Sequence, residues 1–511
     1  MLDTLLRVSE SPTLAAVVAA SLLVVWYVGS SIRAWHRLRE APGPFLGRFS
    51  YVWIAYHILK GDVKEVMGDL HDKYGPVVRI GPNQVITSDP EVLRTIASAR
   101  TRYLRPDWNR GGKFHAEYEN LFTIIDNEEH DIHKAKTIGG YSGREMGSQF
   151  EPAVDAEMNS LIALIRRKFL SDEKQLRPMD VSEVMRYLTM DVITHLGYGK
   201  SFGHLNEGSD VYGWVASTGS YWMMTLSLFI ELPLTRGMMF SKYSLGNLGP
   251  KFTDESGPGK IMGVIHDLVS ERFRGDSKPR GDMVNAFIRN GLTQEEIEGE
   301  AMLQIVAGSD TTTNVLSATL MQLVSSPHAY SRLKREIHDA IASGNAPADG
   351  VISYQQALKL PYLQGVVWEG FRSACAVVYS HYKEVPSGGD TFHGVFLPEG
   401  TNLGHNSGAM TRRPDIFGQD VAVFRPERFS DVDEATRATR IRALDIIFGG
   451  GRWMCSGKTV AMYEMNKTIF ELMKEFDIQL LRPEKGWKEW HYVTPKFEEM
   501  MVIVTEADKT R

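Results

Sequence analysis

Ser11 to Ile32, 22 consecutive positions without a charged residue, constrain this chain more than any other feature. As a helix rising ~1.5 Å per residue, the run spans about 33 Å, enough for the hydrocarbon core of a bilayer. Arg33, Arg37 and Arg39 follow it, while Asp3, Arg7 and Glu10 precede it. Basic residues on the C-terminal side place the rest of the chain in the cytosol. Trp26, Tyr27 and Trp35 suit the lipid–water interface. The rival readings are a cleaved signal peptide and a buried core helix. For a signal peptide the run is long and its basic residues stand on the wrong side. The expectation is a single-pass membrane anchor at 1–40, followed by a body at 41–511. Ala41-Pro42-Gly43-Pro44 breaks any helix and reads as a stiff hinge between them.

Hydrophobic residues make up 43% of the 511 and charged residues 23%, so the body is globular. A net charge of −6 gives no support to nucleic-acid binding. With two cysteines, Cys375 and Cys455, a disulfide scaffold and a cysteine-rich zinc or iron–sulfur site are excluded. No repeat or low-complexity linker interrupts 41–511, which reads as one large domain. Val77 to Ile86 predicts a hairpin about Gly81-Pro82-Asn83. A long helix opens at Thr293, where Thr293 and Glu296 form a capping box and Ile297, Ala301, Ile305 and Gly308 recur at helical spacing. Short strands are expected near Val385, Val395 to Leu397 and Met500 to Val504. The fold class is mostly α with small β-sheets.

Four segments carry chemistry. Phe448-Gly449-Gly450-Gly451-Arg452-Trp453-Met454-Cys455-Ser456-Gly457 puts a lone cysteine on a glycine-rich loop just before a helical pattern from Lys458. There the helix dipole stabilises a thiolate, a good axial ligand for haem iron; the alternative is an inert buried cysteine. Ala307-Gly308-Ser309-Asp310-Thr311-Thr312 interrupts the helix opened at Thr293 with a glycine and a polar run. It reads as a proton relay of acid and alcohol, or else as a helix end. Glu369 and Arg372, at i and i+3, meet on one helix face. Arg428 lies in Phe424-Arg425-Pro426-Glu427-Arg428-Phe429. Each of the last two is weak alone.

In this order the four segments resemble the cytochrome P-450 superfamily of haem-thiolate monooxygenases, over nearly the whole chain. The resemblance implies a cytochrome P-450 fold with Cys455 as the ligand of the iron of haem b and Phe448 beside its sulfur. It implies Asp310 and Thr311 as the acid–alcohol pair of oxygen activation, and Glu369, Arg372 and Arg428 as a buried structural network. The family's arginine two residues before the cysteine is Trp453 here, with Arg452 one position earlier. That order is similar to a filamentous-fungal subgroup akin to pisatin demethylases, as is Glu464-Met465-Asn466-Lys467. Candidate ligands of the haem propionates are then Arg452, His130, Lys134 and His381. Cys375 reads as a small core residue.

The resemblance further implies insertion of one oxygen atom into a hydrophobic small molecule, within fungal secondary metabolism. Electrons would come from NADPH through a cytochrome P-450 reductase, with cytochrome b5 as a second partner, at the endoplasmic reticulum membrane. Family pocket walls fall near Arg105 to Phe122 and Trp222 to Phe229, where Trp108, Phe114, Tyr118, Trp222, Met223, Met224 and Phe229 line the pocket or pack in the core. Arg437, Arg440, Arg442, Arg452, Lys458 and Lys467 are expected on a basic face toward the reductase. The alternatives are an isomerase or dehydratase of the same fold, and a haem-binding protein without catalysis. The pair Asp310-Thr311 favours oxygen activation.

Overall fold

The computed structural model describes residues 12–274 and 280–507. Asp3, Arg7, Glu10 and Ser11 of the N-terminal reading lie outside them. The apolar run forms helix α1 (Pro12–Arg37), with Val25 and Trp26 each 69% exposed. Among the described residues it is the one helix long and apolar enough to cross a membrane, and its apolar window is 0% buried. Such a surface is stable in lipid and not in water.

The body begins earlier than the prolines suggest. Leu38 and Ala41 are buried in a cluster with Val77, Val85 and Leu403. The Arg79 amide donates to the Pro42 carbonyl at 2.7 Å, and the buried Arg79 guanidinium donates to the Leu38 carbonyl. Gly43 fits because a Cβ there would stand 2.0 Å from the Arg79 carbonyl oxygen. Residues 41–44, read as a stiff hinge, are docked on the body through Ala41, Pro42 and Gly43.

The expected hairpin forms from β1 (Val77–Arg79) and β2 (Gln84–Thr87). Along the chain follow α2 (Pro90–Ala97), α3 (Asn127–Tyr141), α4 (Val181–Tyr198), α5 (Ser220–Glu231), α6 (Pro233–Met239), α7 (Gln294–Val324) and α8 (Pro361–Ala374). Then come β3 (Tyr379–Glu384), β4 (Asn402–Asn406) and α9 (Lys458–Glu475). The main sheet has the order β1-β2-β4-β3, with β2 parallel to β4 and the other pairs antiparallel. Register slips between Ser380 and Lys383, where Ser380 (φ 113) and His381 (φ 44) take positive φ. The bulge re-aims the side chains of β3. The strands expected at Val395–Leu397 and near Met500 are present, the latter as Met501–Glu506 between Met179–Asp180 and Phe476–Leu480.

The 31 residues of α7 form the spine of the core, opened by the Thr293–Glu296 capping box. The helix passes unbroken through Gly308 to Thr312, so no helix end occurs there. Gly308 serves the contact with α4: a Cβ on it would meet Ile193 at 3.0 Å.

Glu369 and Arg372 of α8 form a two-point ion pair, at 2.7 and 2.8 Å. Arg428 joins Glu369 at 3.3 Å and Asp420 at 2.8 Å, and is itself 0% exposed. The Arg425 amide donates to the same Glu369 carboxylate, and Arg372 also donates to the carbonyls of Thr411 and Val421. One buried carboxylate thus ties α8 to the segment leading to the cysteine loop.

Two outcomes follow from this packing. Deleting residues 1–34 should release much of the protein from membranes on centrifugation with its melting temperature kept, whereas deletion through Pro44 should lower that temperature. Glu369→Ala or Arg372→Ala should cost about 3–5 kcal/mol in denaturant unfolding, because each strands a buried charge.

Candidate active site

A cavity opens between α7, the cysteine loop, α3, the 105–122 segment and the ends of β3 and β4. Ala307, Gly308, Thr311 and Thr312 of α7 line it, as do Phe448, Gly449, Gly450 and Cys455 of the loop.

The cysteine loop is fixed by its own backbone. The Cys455 amide donates to the Phe448 carbonyl at 2.6 Å. Gly449 (φ 79) and Gly451 (φ 52) occupy the left-handed region. A Cβ on them would stand 2.5 Å from the Trp453 oxygen and 2.3 Å from the Ala97 oxygen, respectively. Those two glycines thus let the loop fold on itself and against α2. The Phe448 ring packs on Phe371, with the Lys458 ammonium 5.5 Å from its centroid. Cys455 precedes the start of α9 as expected. Burial raises its thiol pKa, while the amides of Gly457 and Lys458 and the ammonium groups of Lys134 and Lys458 act to lower it.

The basic residues sort into two groups. His130 and His381 reach the cavity; Arg452 and Lys134 do not line it. Arg452 turns to Asp131, at 3.0 Å, and to the Ala99 carbonyl. Lys134 donates to the carbonyls of Arg452 and Met454, at 2.7 and 2.8 Å, and so sews α3 to the cysteine loop. Two cations that the sequence reading did not single out, Arg105 and Lys383, stand in the cavity instead. They lie over the Trp453 ring, at 4.3 and 4.8 Å from its centroid. The His130 ring is 4.4 Å from the same indole. Among the described residues neither cation has a carboxylate in ion-pair range, and Arg105 Nε and Trp453 Nε1 have no hydrogen-bond partner. Burial pushes the Arg105 guanidinium down to about 9, the Lys383 ammonium well below its usual range, and the His130 imidazole, also repelled by Arg105, to about 2. His381 shares a 2.7 Å hydrogen bond with His405, and burial holds both below the ordinary histidine range. A thiol in one cavity with a glycine-bearing helix face, and with two cations that have no carboxylate partner, fits a flat iron macrocycle bearing two carboxylates.

Thr311 of the polar run lines the cavity, but its hydroxyl donates back to the Ala307 carbonyl at 2.7 Å. Thr312 also lines the cavity and lies against Glu464 of α9. Glu464 is 1% exposed, and burial drives its pKa well up against the pull of the Thr312 hydroxyl. Asp310 points away from the cavity, as adjacent helix positions require. It is not solvent-facing: at 7% exposure it meets Arg186 of α4 at 3.2 Å, with Lys496 close to both.

Of the proposed pocket walls, the 105–122 segment contributes Arg105, Asn109, Leu121 and Phe122, and the Trp222–Phe229 segment contributes none. Trp108 packs on Phe122 and Tyr382. Phe114 lies against the core, Tyr118 stacks on His115, and Trp222 is 37% exposed. Lys467 is removed from the expected basic face: it is buried between Glu151 and Asp155, at 2.7 and 2.6 Å. Cys375 is buried, as expected, and burial lifts its thiol to about 11. A sequence signal for Lys383 existed, since it stands two residues beyond His381 in a strand. None marked Arg105.

The family model "Cytochrome P-450" matches residues 42–496. The chain is 41% identical to the cytochrome P-450 monooxygenase ABA1 of Pyricularia oryzae over 493 residues, covering 95% of this chain and 96% of that one. It is 40% identical to the monooxygenase aba1 of Botryotinia fuckeliana, over 93% of each chain. It is 30% identical to a pisatin demethylase of Fusarium vanettenii, over 95% of this chain and 92% of that one.

The placement of the cations sets a measurable contrast. Arg105→Ala and Lys383→Ala should each lower the haem content of the purified protein at least several-fold and shift its reduction potential. Arg452→Ala should leave both close to the parent values in the pyridine haemochrome assay and the redox titration.

Proposed function

The chain belongs to the cytochrome P-450 family, and from that premise we propose how its own residues perform the family's reaction. It is a haem-thiolate monooxygenase that acts on a small molecule with electrons from a redox partner. Bound haem supplies the activation of dioxygen and the transfer of one oxygen atom to the substrate.

Cys455 is the proposed iron ligand, and the observation that carries this is that it lines the same cavity as Ala307, Gly308, Thr311 and Thr312 of α7. Phe448, which lines the same cavity, is the ring expected beside the sulfur. Arg105 and Lys383 carry the charge that balances the haem carboxylates, with His130 and His381 beside them; Lys134 acts by fixing the loop, and Arg452 by pairing with Asp131. Thr311 is the alcohol that passes a proton into the cavity, exchanging the Ala307 carbonyl for an acceptor on the cavity side. Asp310 is the acid of the pair, on the far side of α7 and held by Arg186. Glu369, Arg372 and Arg428 hold the scaffold and touch no reactant.

The finer reading has the electrons come from NADPH through a membrane-bound reductase, with cytochrome b5 as a second donor. Residues 1–40 anchor the chain in the endoplasmic reticulum membrane, and 41–511 form the cytosolic catalytic domain. The apolar, exposed surface of α1 supports the anchor. Exposed Arg442 and half-buried Arg437 and Lys458 remain of the basic docking face, so turnover should fall as salt is added. The fungal relatives favour a role in secondary metabolism.

Cys455→Ser should abolish the strongly red-shifted Soret band of the reduced carbon monoxide complex, and Cys375→Ser should keep it. With reductase and NADPH, Thr311→Ala should retain haem but release several-fold more hydrogen peroxide per NADPH oxidised. A parent-like peroxide yield would remove Thr311 from the relay.

A further inference from the structure

We propose that Glu300 is a positioning residue for the cofactor site: through the backbone of Leu121 it fixes the seat from which Arg105 meets a haem carboxylate. The proposal rests on the haem-thiolate reading of the same cavity and adds a residue to it.

Glu300 lies in α7 seven positions before Ala307, on the same helix face and about 10 Å farther along the axis. It is 0% exposed and stands beyond the residues that line the cavity. Its carboxylate gathers three groups from two other parts of the fold. Oε2 accepts from the Leu121 amide at 2.9 Å and stands 3.1 Å from His133 Nε2. Oε1 accepts from the Tyr141 hydroxyl at 2.7 Å. His133 and Tyr141 belong to α3, the helix that also carries His130 and Lys134. Among the described residues no lysine or arginine comes within ion-pair range of Glu300. A carboxylate buried without such a partner is costly and depends on its hydrogen bonds. Two acceptor oxygens suit the Leu121 amide and the Tyr141 hydroxyl together, whereas a glutamine turns an N–H2 group toward one of them.

The other end of Leu121 holds Arg105. Arg105 Nη1 donates to the Leu121 carbonyl, and to the Ile124 carbonyl at 3.2 Å. Leu121 is thus gripped twice, its N–H by the α7 carboxylate and its C=O by the cation. The turn around it is stiff. Asn120 Oδ1 accepts from the amides of Phe122 and Thr123, at 3.0 and 3.1 Å, and Asn120 Nδ2 donates to the Gly112 carbonyl at 3.1 Å. A stiff turn passes the position of one anchor to the other. Because the guanidinium is a planar fork, fixing Nη1 sets the direction of its remaining N–H groups. The Glu300 charge also reaches Arg105 and favours its charged form, against the burial that pushes it down to about 9.

The roles are distinct. Arg105 meets the carboxylate of the cofactor; Glu300 touches no reactant and acts through Arg105. Loss of the Glu300 carboxylate should therefore resemble a partial loss of Arg105.

The test uses the full-length holoprotein in nanodiscs. Haem release is followed by transfer to excess apomyoglobin, and the reduction potential and reduced carbon monoxide spectrum are recorded on the same samples. Glu300→Gln should release haem about tenfold faster than the parent and lower the potential, as Arg105→Ala does. Removing a negative charge without disturbing Arg105 raises the potential instead. In the Arg105→Ala background, Glu300→Gln should change the release rate by less than about twofold. Should Glu300→Gln fail to fold, Tyr141→Phe removes one anchor of the same carboxylate. It should speed release about threefold, again only where Arg105 is present. A parent-like release rate, a raised potential, or an equal acceleration with and without Arg105 would overturn the proposal. Any of these with the red-shifted Soret band intact in the parent condemns the positioning role alone; a parent without that band condemns the haem-thiolate reading.

Discussion

One buried indole packs against both an arginine and a lysine, and the architecture of the site depends on that contact. Arg105 and Lys383 approach Trp453 to 4.3 and 4.8 Å in a cavity that offers them no carboxylate among the described residues. Cation–π attraction of about 2 kcal/mol per pair, even when desolvated, does not offset the cost of burying charge. The arrangement makes sense as one half of an ion pair whose other half arrives with the cofactor. Family members usually carry an arginine at the position of Trp453. In this chain the cations nearest that position are Arg105 of the 105–122 segment and Lys383 of β3, and the Trp453 indole lies against both.

The neighbouring polar contacts follow from that arrangement. With no arginine two residues before Cys455, the loop is held from below by Lys134, whose ammonium spans the carbonyls on either side of Trp453. Arg452 is left free to pair with Asp131 at the periphery. Farther out, Glu369 accepts from Arg372, Arg428 and the Arg425 amide, so that α8 and the segment before the loop move as one body. The cysteine is thus positioned by backbone contacts and buried charges on several elements rather than by its own helix alone.

Local chemistry in the sequence made much of this legible. The capping box at Thr293, the glycine loop before Cys455 and the Glu369–Arg372 spacing each encode a contact within a few residues, and each is found where the sequence put it. Contacts made across the fold were less accessible. Gly308 reads as an interruption of the helix, but its missing Cβ is what lets α4 close on α7. Asp310 reads as the acid of a relay, and nothing near it marks Arg186, more than a hundred residues away, as its partner. Arg105 carries no local mark of its charge role, and Glu464 is marked only by the subgroup resemblance of its stretch: a lone arginine in a loop and a glutamate in a helix are ordinary until tertiary packing buries them. The bulge in β3 is similar, since the slip between Ser380 and Lys383 that aims His381 and Lys383 is a property of pairing with β4.

The central claim is that Cys455 holds the iron while Arg105 and Lys383, beside Trp453, hold the charge of the macrocycle. An experimental structure of the holoprotein, with anomalous scattering recorded at the iron absorption edge, tests it most directly. The account predicts the iron peak beside Cys455 Sγ and both propionates on the side of Trp453 bearing Arg105 and Lys383. An iron peak away from Cys455, or propionates paired with Arg452 while Arg105 and Lys383 stand apart, would contradict it.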